Sequence, residues 1–191
     1  LTSPAGKTIS GNFKYVFDLK DKVYAISTLR HLDIASTSIY RFDNDKDVQS
    51  IYGTSDWLTV MVLEPLGEST KDYYENLSCD AVYVNNDEAY AVLSGLISKK
   101  SEPRGIREND SVRICRMLKI KDGKVKQIKE YAGKVPSLIN SIIVDSNKFY
   151  VGCDKMVCIY DLDKDGSVIY RTCISPEDEK DILATEKGKF I

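Results

Sequence analysis

The sequence predicts an all-β chain assembled from connected four-stranded antiparallel meanders. Three observations carry that expectation. Short apolar runs rich in β-branched residues alternate with clusters of Asp, Asn, Ser, Gly and Lys, which is turn chemistry. One hairpin pattern recurs along the chain. The strand over residues 156–162 is apolar on both faces, as in a sheet stacked between neighbours rather than wetted on one side.

The clearest unit lies within residues 141–172. Ser141-Ile142-Ile143-Val144 is a strand and Asp145-Ser146-Asn147 a turn. Lys148-Phe149-Tyr150-Val151 is the second strand, followed by the turn Cys153-Asp154-Lys155. Residues 156–162 form the third, closed by the hairpin signal Asp163-Lys164-Asp165-Gly166, and Val168-Ile169-Tyr170 returns as the fourth. In the third strand Met156, Cys158 and Tyr160 point one way, and Val157, Ile159 and Leu162 largely the other.

The hairpin tip Asn147-Lys148-Phe149-Tyr150 has counterparts in Asp21-Lys22-Val23-Tyr24, Asp87-Glu88-Ala89-Tyr90 and Gly188-Lys189-Phe190-Ile191, each after a short apolar run. The second hairpin repeats as well: Ile39-Tyr40-Arg41-Phe42-Asp43 matches Ile159-Tyr160-Asp161-Leu162-Asp163, and residues 117–125, with Lys121-Asp122-Gly123 at the tip, form a looser copy. Gly152-Cys153-Asp154 through Val157-Cys158-Ile159-Tyr160-Asp161-Leu162 resembles a blade of the WD40 and quinoprotein-like propellers, with Tyr160-Asp161 where such blades carry Trp-Asp. Their upstream Gly-His pair is missing; Ala132-Gly133 stands nearest to it. The resemblance implies a β-propeller-like array: a lead-in over residues 1–13, then one β domain with repeats at 14–63, 79–133 and 136–173 and a partial fourth at 181–191. A β-sandwich of generic hairpins is the alternative architecture.

In chain order, residues 14–27 and 38–52 are hairpins, and residues 29–35 are a connector holding His31, the single histidine. Trp57-Leu58-Thr59-Val60-Met61-Val62-Leu63 is an additional strand. Residues 69–77 read as a helical turn capped by Ser69, presenting Tyr73 and Tyr74. Residues 99–110 are a charged loop with Arg104 and Arg107. Residues 112–131 form a hairpin with a lysine-rich, solvated arm. Ser175-Pro176-Glu177-Asp178-Glu179 reads as a capped helical turn, and residues 181–191 open a further hairpin.

Composition narrows the function classes. The 191 residues carry 27 Lys and Arg against 29 Asp and Glu, a net charge of −2, with no clustered basic excess for nucleic acid. Apolar runs such as residues 58–63 are far too short to cross a bilayer. The five cysteines form no metal spacing; Cys115, Cys153 and Cys158 are expected as buried free thiols, with a Cys153–Cys158 bridge as the alternative. That leans towards the cytoplasm. Leu1 as first residue leaves open a removed leader, a processed secreted form, or a piece of a longer chain.

Catalytic signals are few. There is no Gly-rich phosphate loop or nucleophile elbow, and His31 stands without a sequence neighbour to complete a triad. Asp161, Asp163 and Asp165 with Gly166 match the first half of a calcium loop, but Thr172 stands where the closing Glu belongs, so no metal or cofactor is expected. The expected function is a non-enzymatic protein-interaction module. Tyr73, Tyr74, Arg104 and Arg107 are its candidate partner contacts, and the rest of a longer chain or another chain would complete the β array. Two alternatives remain: a propeller-class hydrolase acting on carbohydrate or peptide, and a small inhibitor or immunity-type binding protein.

Overall fold

The computed structural model describes residues 12–31, 34–44, 47–54, 73–85, 87–99, 111–132, 138–163 and 168–175. Among them there is no helix. They form strands β1 (Phe13–Leu19), β2 (Lys22–His31), β3 (Ile34–Asn44), β4 (Asp47–Gly53), β5 (Tyr73–Val84), β6 (Glu88–Lys99), β7 (Ser111–Lys121), β8 (Lys124–Ala132), β9 (Ile139–Asp145), β10 (Lys148–Cys153), β11 (Val157–Leu162) and β12 (Val168–Ile174). The chain is all-β, in three four-stranded antiparallel meanders: β1-β2-β3-β4, β5-β6-β7-β8 and β12-β11-β10-β9. Two compact units contain them, Leu1–Val135 with the first two sheets and Pro136–Ile191 with the third.

Turn chemistry explains why the strands reverse where they do. Lys20 and Asp21 both take positive φ (47° and 64°) between β1 and β2, as do Asp122 (49°) and Gly123 (75°) between β7 and β8. Two consecutive left-handed residues make the tight turn whose twist matches that of the strands on either side. Ser146, at φ 54°, serves the turn between β9 and β10.

In the first unit, one side of the first sheet is buried against one side of the second. Leu19, Tyr24, Ile26 and Ile39 pack with Leu77, Ala91, Leu118 and Ile120, and Phe17 and Tyr52 close the edges. Polar bonds run across the same junction. The Ala35 amide donates to Asn76 Oδ1 (2.5 Å) and the Thr37 hydroxyl to the Leu77 carbonyl (2.9 Å). Lys14 Nζ donates to the Cys79 carbonyl (3.1 Å), and the Tyr15 hydroxyl to the Asp80 carbonyl. Strand β5 is thereby tied across β1, β2 and β3. Sheet two is buried on its other side as well, where Tyr90, Val92 and Met117 lie.

In the second unit, the paired residues Ile142, Val151 and Cys158 form one buried row that continues to half-buried Cys173, with buried Phe149 and Tyr160 beside it. Cys158 and Cys173 lie opposite each other on β11 and β12, Cα atoms 4.1 Å apart, and form a disulfide. This corrects the expectation of a free thiol at Cys158 and also the Cys153–Cys158 alternative. Across β10 the residue facing Cys158 is Val151, while Cys153 lies further on, opposite Ile139. Cys79, Cys115 and Cys153 are not disulfide-bonded. Burial, with Asp80 nearby, pushes the Cys79 thiol up to about 12. Cys79 should therefore resist iodoacetamide at about pH 8 in the folded protein, far below its thiolate range. Denaturation without reductant should then expose Cys79, Cys115 and Cys153 to label while Cys158 and Cys173 take none. Peptide mass mapping decides the point, since label on Cys158 before reduction would contradict the bridge.

Two further expectations are overturned. Tyr73 and Leu77 belong to β5, not to a capped helical turn; Tyr73 pairs with Lys99 and Tyr74 with Ser98. An isolated turn of helix gains little, whereas a β5 placement buries Glu75, Leu77, Cys79 and Ala81 and fills the β6 ladder. His31 is not in an open connector: it ends β2 and pairs with Ile34 on β3. The readings made for residues 1–11, 57–63, 100–110, 164–167 and 176–191 lie outside the described residues.

Candidate functional site

A concave feature of the first unit lies where hairpin ends of its two sheets meet. It has a volume of about 250 Å³ and is lined by Lys20, Lys22, Tyr24, Arg41, Asp87 and Asp122, with Leu19, Asp43 and Gly123 completing the wall. The tight turns set its geometry. The β1–β2 turn carries Lys20 to within 2.9 Å of Asp122 on the β7–β8 turn and 4.0 Å of Asp87. Lys22 Nζ donates to Asp43 at 2.5 Å. Arg41 donates through Nε (3.2 Å) and Nη2 (2.8 Å) to the other Asp43 oxygen, and through Nη2 to Gln49 (3.0 Å). Gly123 leaves room for this guanidinium, because a Cβ there would lie 2.1 Å from Arg41 Nη1.

The charges of this pocket satisfy one another. Hydrogen bonds from Arg41 and Lys22 hold the Asp43 carboxyl below its usual range, and Lys20 does the same for Asp122. At the start of β6, next to Asp87, burial works to raise the Glu88 carboxyl. Lys119 (2.7 Å), the Tyr90 hydroxyl (2.5 Å) and Lys121 (3.3 Å) together outweigh it and leave that group lowered. The arm expected to be a solvated lysine face is thus partly engaged. Carboxylates with depressed folded values add stability that is present above their unfolded values near pH 4 and lost as pH falls through the folded ones. The thermal midpoint should accordingly decline from about pH 5 downward, with Asp43 and Asp122 carboxyl resonances titrating below the usual carboxylate range. A midpoint flat down to about pH 3 would contradict the pairing. Chemically, the pocket clamps two sheet ends.

A second polar cluster is interior. Arg116 donates from Nε to Glu130 (2.7 Å), from Nη1 to the Tyr52 hydroxyl (2.9 Å) and from Nη2 to Glu75 (2.6 Å). Burial works against the Arg116 charge, yet Glu75 and Tyr52 overcome it and the guanidinium stays protonated. Burial also raises the Tyr52 phenol. The sequence hint was a lone Arg within Ile114-Cys115-Arg116-Met117-Leu118, since a charge in an apolar strand needs a partner. Its partners sit on three other strands and spacing could not disclose them.

Tyr73 and Tyr74 are strand residues, and Arg104 and Arg107 lie outside the described residues. Asp161 accepts a hydrogen bond from Arg171 Nε, Asp163 follows the end of β11, and Asp165 is not among the described residues. No group of His, Cys, Asp and Glu suited to a metal ion occurs among the described residues, nor does a helix long and apolar enough to cross a membrane.

What spacing could not show at all is an apolar surface at each end of the chain. On the first sheet Val16, Val23 and Leu29 are exposed, Val16 to 67%. On the third, Ile143 and Ile169 are more than half exposed. No model of a known protein family matches the chain, and no curated protein sequence matches it.

Proposed function

We propose that this chain is a non-enzymatic protein-interaction module of β-propeller type, its three sheets acting as repeats within a larger array. The observation that carries this reading is the unequal cover of three like sheets. The middle of the second is buried on both sides, with Leu93 and Ile114 on one and Tyr90, Val92 and Met117 on the other, and Val84, Leu96 and Val112 exposed nearer its strand ends, whereas the first exposes Val16 and Val23 and the third Ile143 and Ile169. Repeats of this kind bury their faces by stacking, and an end repeat with an uncovered apolar face calls for a partner. A hydrolase would need two carboxylates converging on an open cleft; Glu75 and Glu130 are instead bridged by buried Arg116.

The reading is tested by native pull-down with the intact chain and with Val16→Lys and Ile143→Lys, both at exposed positions. A partner retained by the intact chain and lost by a variant supports it. Turnover in a panel of glycoside and ester substrates, abolished by one Asp or Glu replacement, would overturn it.

A further inference from the structure

We infer that the Ile143–Tyr150–Ile159 side of the third sheet docks onto the Val16–Val23–Phe42 side of the first sheet of a second copy of this chain. This rests on the interaction-module reading and names its partner.

The first two sheets display the junction in question. The hairpin tips place Tyr24, Tyr90 and Tyr150 at equivalent positions. In the first sheet the Tyr24 side, with Ile26 and Ile39, is covered by the Ala89–Ala91–Leu93 side of the second. On the third sheet, register sets Ile143, Tyr150 and Ile159 in one row across β9, β10 and β11, on the side that corresponds to Tyr24. There Ile143 is 56% exposed, whereas Tyr24 is 2% exposed.

The complementary half is at the other end of the chain. On the first sheet, Val23 and Ala25 occupy the positions of Ala89 and Ala91, and register brings Val23 beside Phe42 and Val16 beside Ala25. Val16 and Val23 are exposed. One chain therefore carries exposed apolar residues on a side of the Tyr24 kind, around half-buried Tyr150 and Ile159, and on a side of the Ala89 kind, around buried Ala25 and half-buried Phe42.

Charge follows the same rule. In the chain's own junction Lys20, at the hairpin end of the first sheet, meets Asp87 and Asp122 of the second. Lys148 stands at the corresponding hairpin end of the third sheet, and exposed Asp18 and Asp21 at that of the first. A head-to-tail contact again sets cation against carboxylate. Two such contacts, related by a two-fold axis, pair two chains with both surfaces covered.

The test is light scattering on the intact chain, expected at about twice the 21.5 kDa of one copy. Val16→Lys and Ile143→Lys should each give single copies with unchanged circular dichroism, because both positions are exposed. Mixed in equal amounts they should pair again, since one undamaged contact remains between them. An intact chain that stays monomeric at micromolar concentration overturns the inference, as does a pair insensitive to either replacement or a mixture that does not re-pair. A monomer whose separate protein partner is lost in Ile143→Lys would sink this inference and leave the interaction-module reading standing.

Discussion

Replacing Arg116 by Met is expected to cost about 3–5 kcal/mol of folding stability, the range for breaking a buried ion pair from one side. The Met side chain roughly preserves volume, so the loss is electrostatic. The side chain of Arg116 is 7% exposed and that of Glu75 1%, and the guanidinium also satisfies Tyr52 and Glu130. Without the cation, Glu75 has to take up a proton or stay charged in an apolar junction. Its folded value then lies above the unfolded one near 4.3, so the deficit is absent below that pH and grows as pH rises through it. Urea midpoints at about pH 5 and pH 7 should show the larger loss at the higher pH. Adding Glu75→Gln should return part of the stability at pH 7, since the stranded charge is removed. A loss below about 1 kcal/mol, the worth of an exposed pair, would mean the cluster is hydrated.

Gly95→Ala should be nearly as damaging, by about 3 kcal/mol, the upper end for forcing atoms into a packed interior. Gly95 has φ 156°, and an added Cβ would lie 1.9 Å from the Asn76 carbonyl oxygen and 2.9 Å from its carbon. The obstacle is backbone, held by pairing of Gly95 with Leu77 on β5 and Ile114 on β7. Relief requires prising β5 from β6 at the strand that crosses the first sheet. Gly123→Ala is the control. Its obstacle is the flexible end of Arg41, so the cost reduces to the left-handed backbone, about 1–2 kcal/mol. Equal losses for the two variants in chemical denaturation would refute the steric account.

The meanders were legible because their signals are local. Asp145-Ser146-Asn147 and Lys121-Asp122-Gly123 announce reversals without reference to anything distant, and the β9–β12 meander lies within the stretch singled out. The lateral relations were not legible, because they depend on register. A bulge between Cys79 and Ala81 changes which side of β5 faces the first sheet, so simple alternation misassigns it. A bulge between Ile159 and Tyr160 brings Cys173 opposite Cys158. Residues 69–77 carried a cap at Ser69 and acidic neighbours, and over Tyr73 to Leu77 only the β6 partner decides in favour of strand. The Arg116 cluster joins four strands, and the pocket joins turns that are 102 residues apart in Lys20 and Asp122.

Hydrogen-bonded neighbours in the three sheets are also neighbours in sequence. The result is kinetic as much as architectural. Each ladder closes a short loop, so little chain entropy is spent before the first bonds form, and such local pairing is the fast kind. During synthesis, the strands of one meander can zip together while the next is still inside the ribosome. Folding of the first unit then reduces to one late collision, in which β5 settles across β2 and β3. That step has to wait until the segment bearing Leu77 and Cys79 has left the exit tunnel.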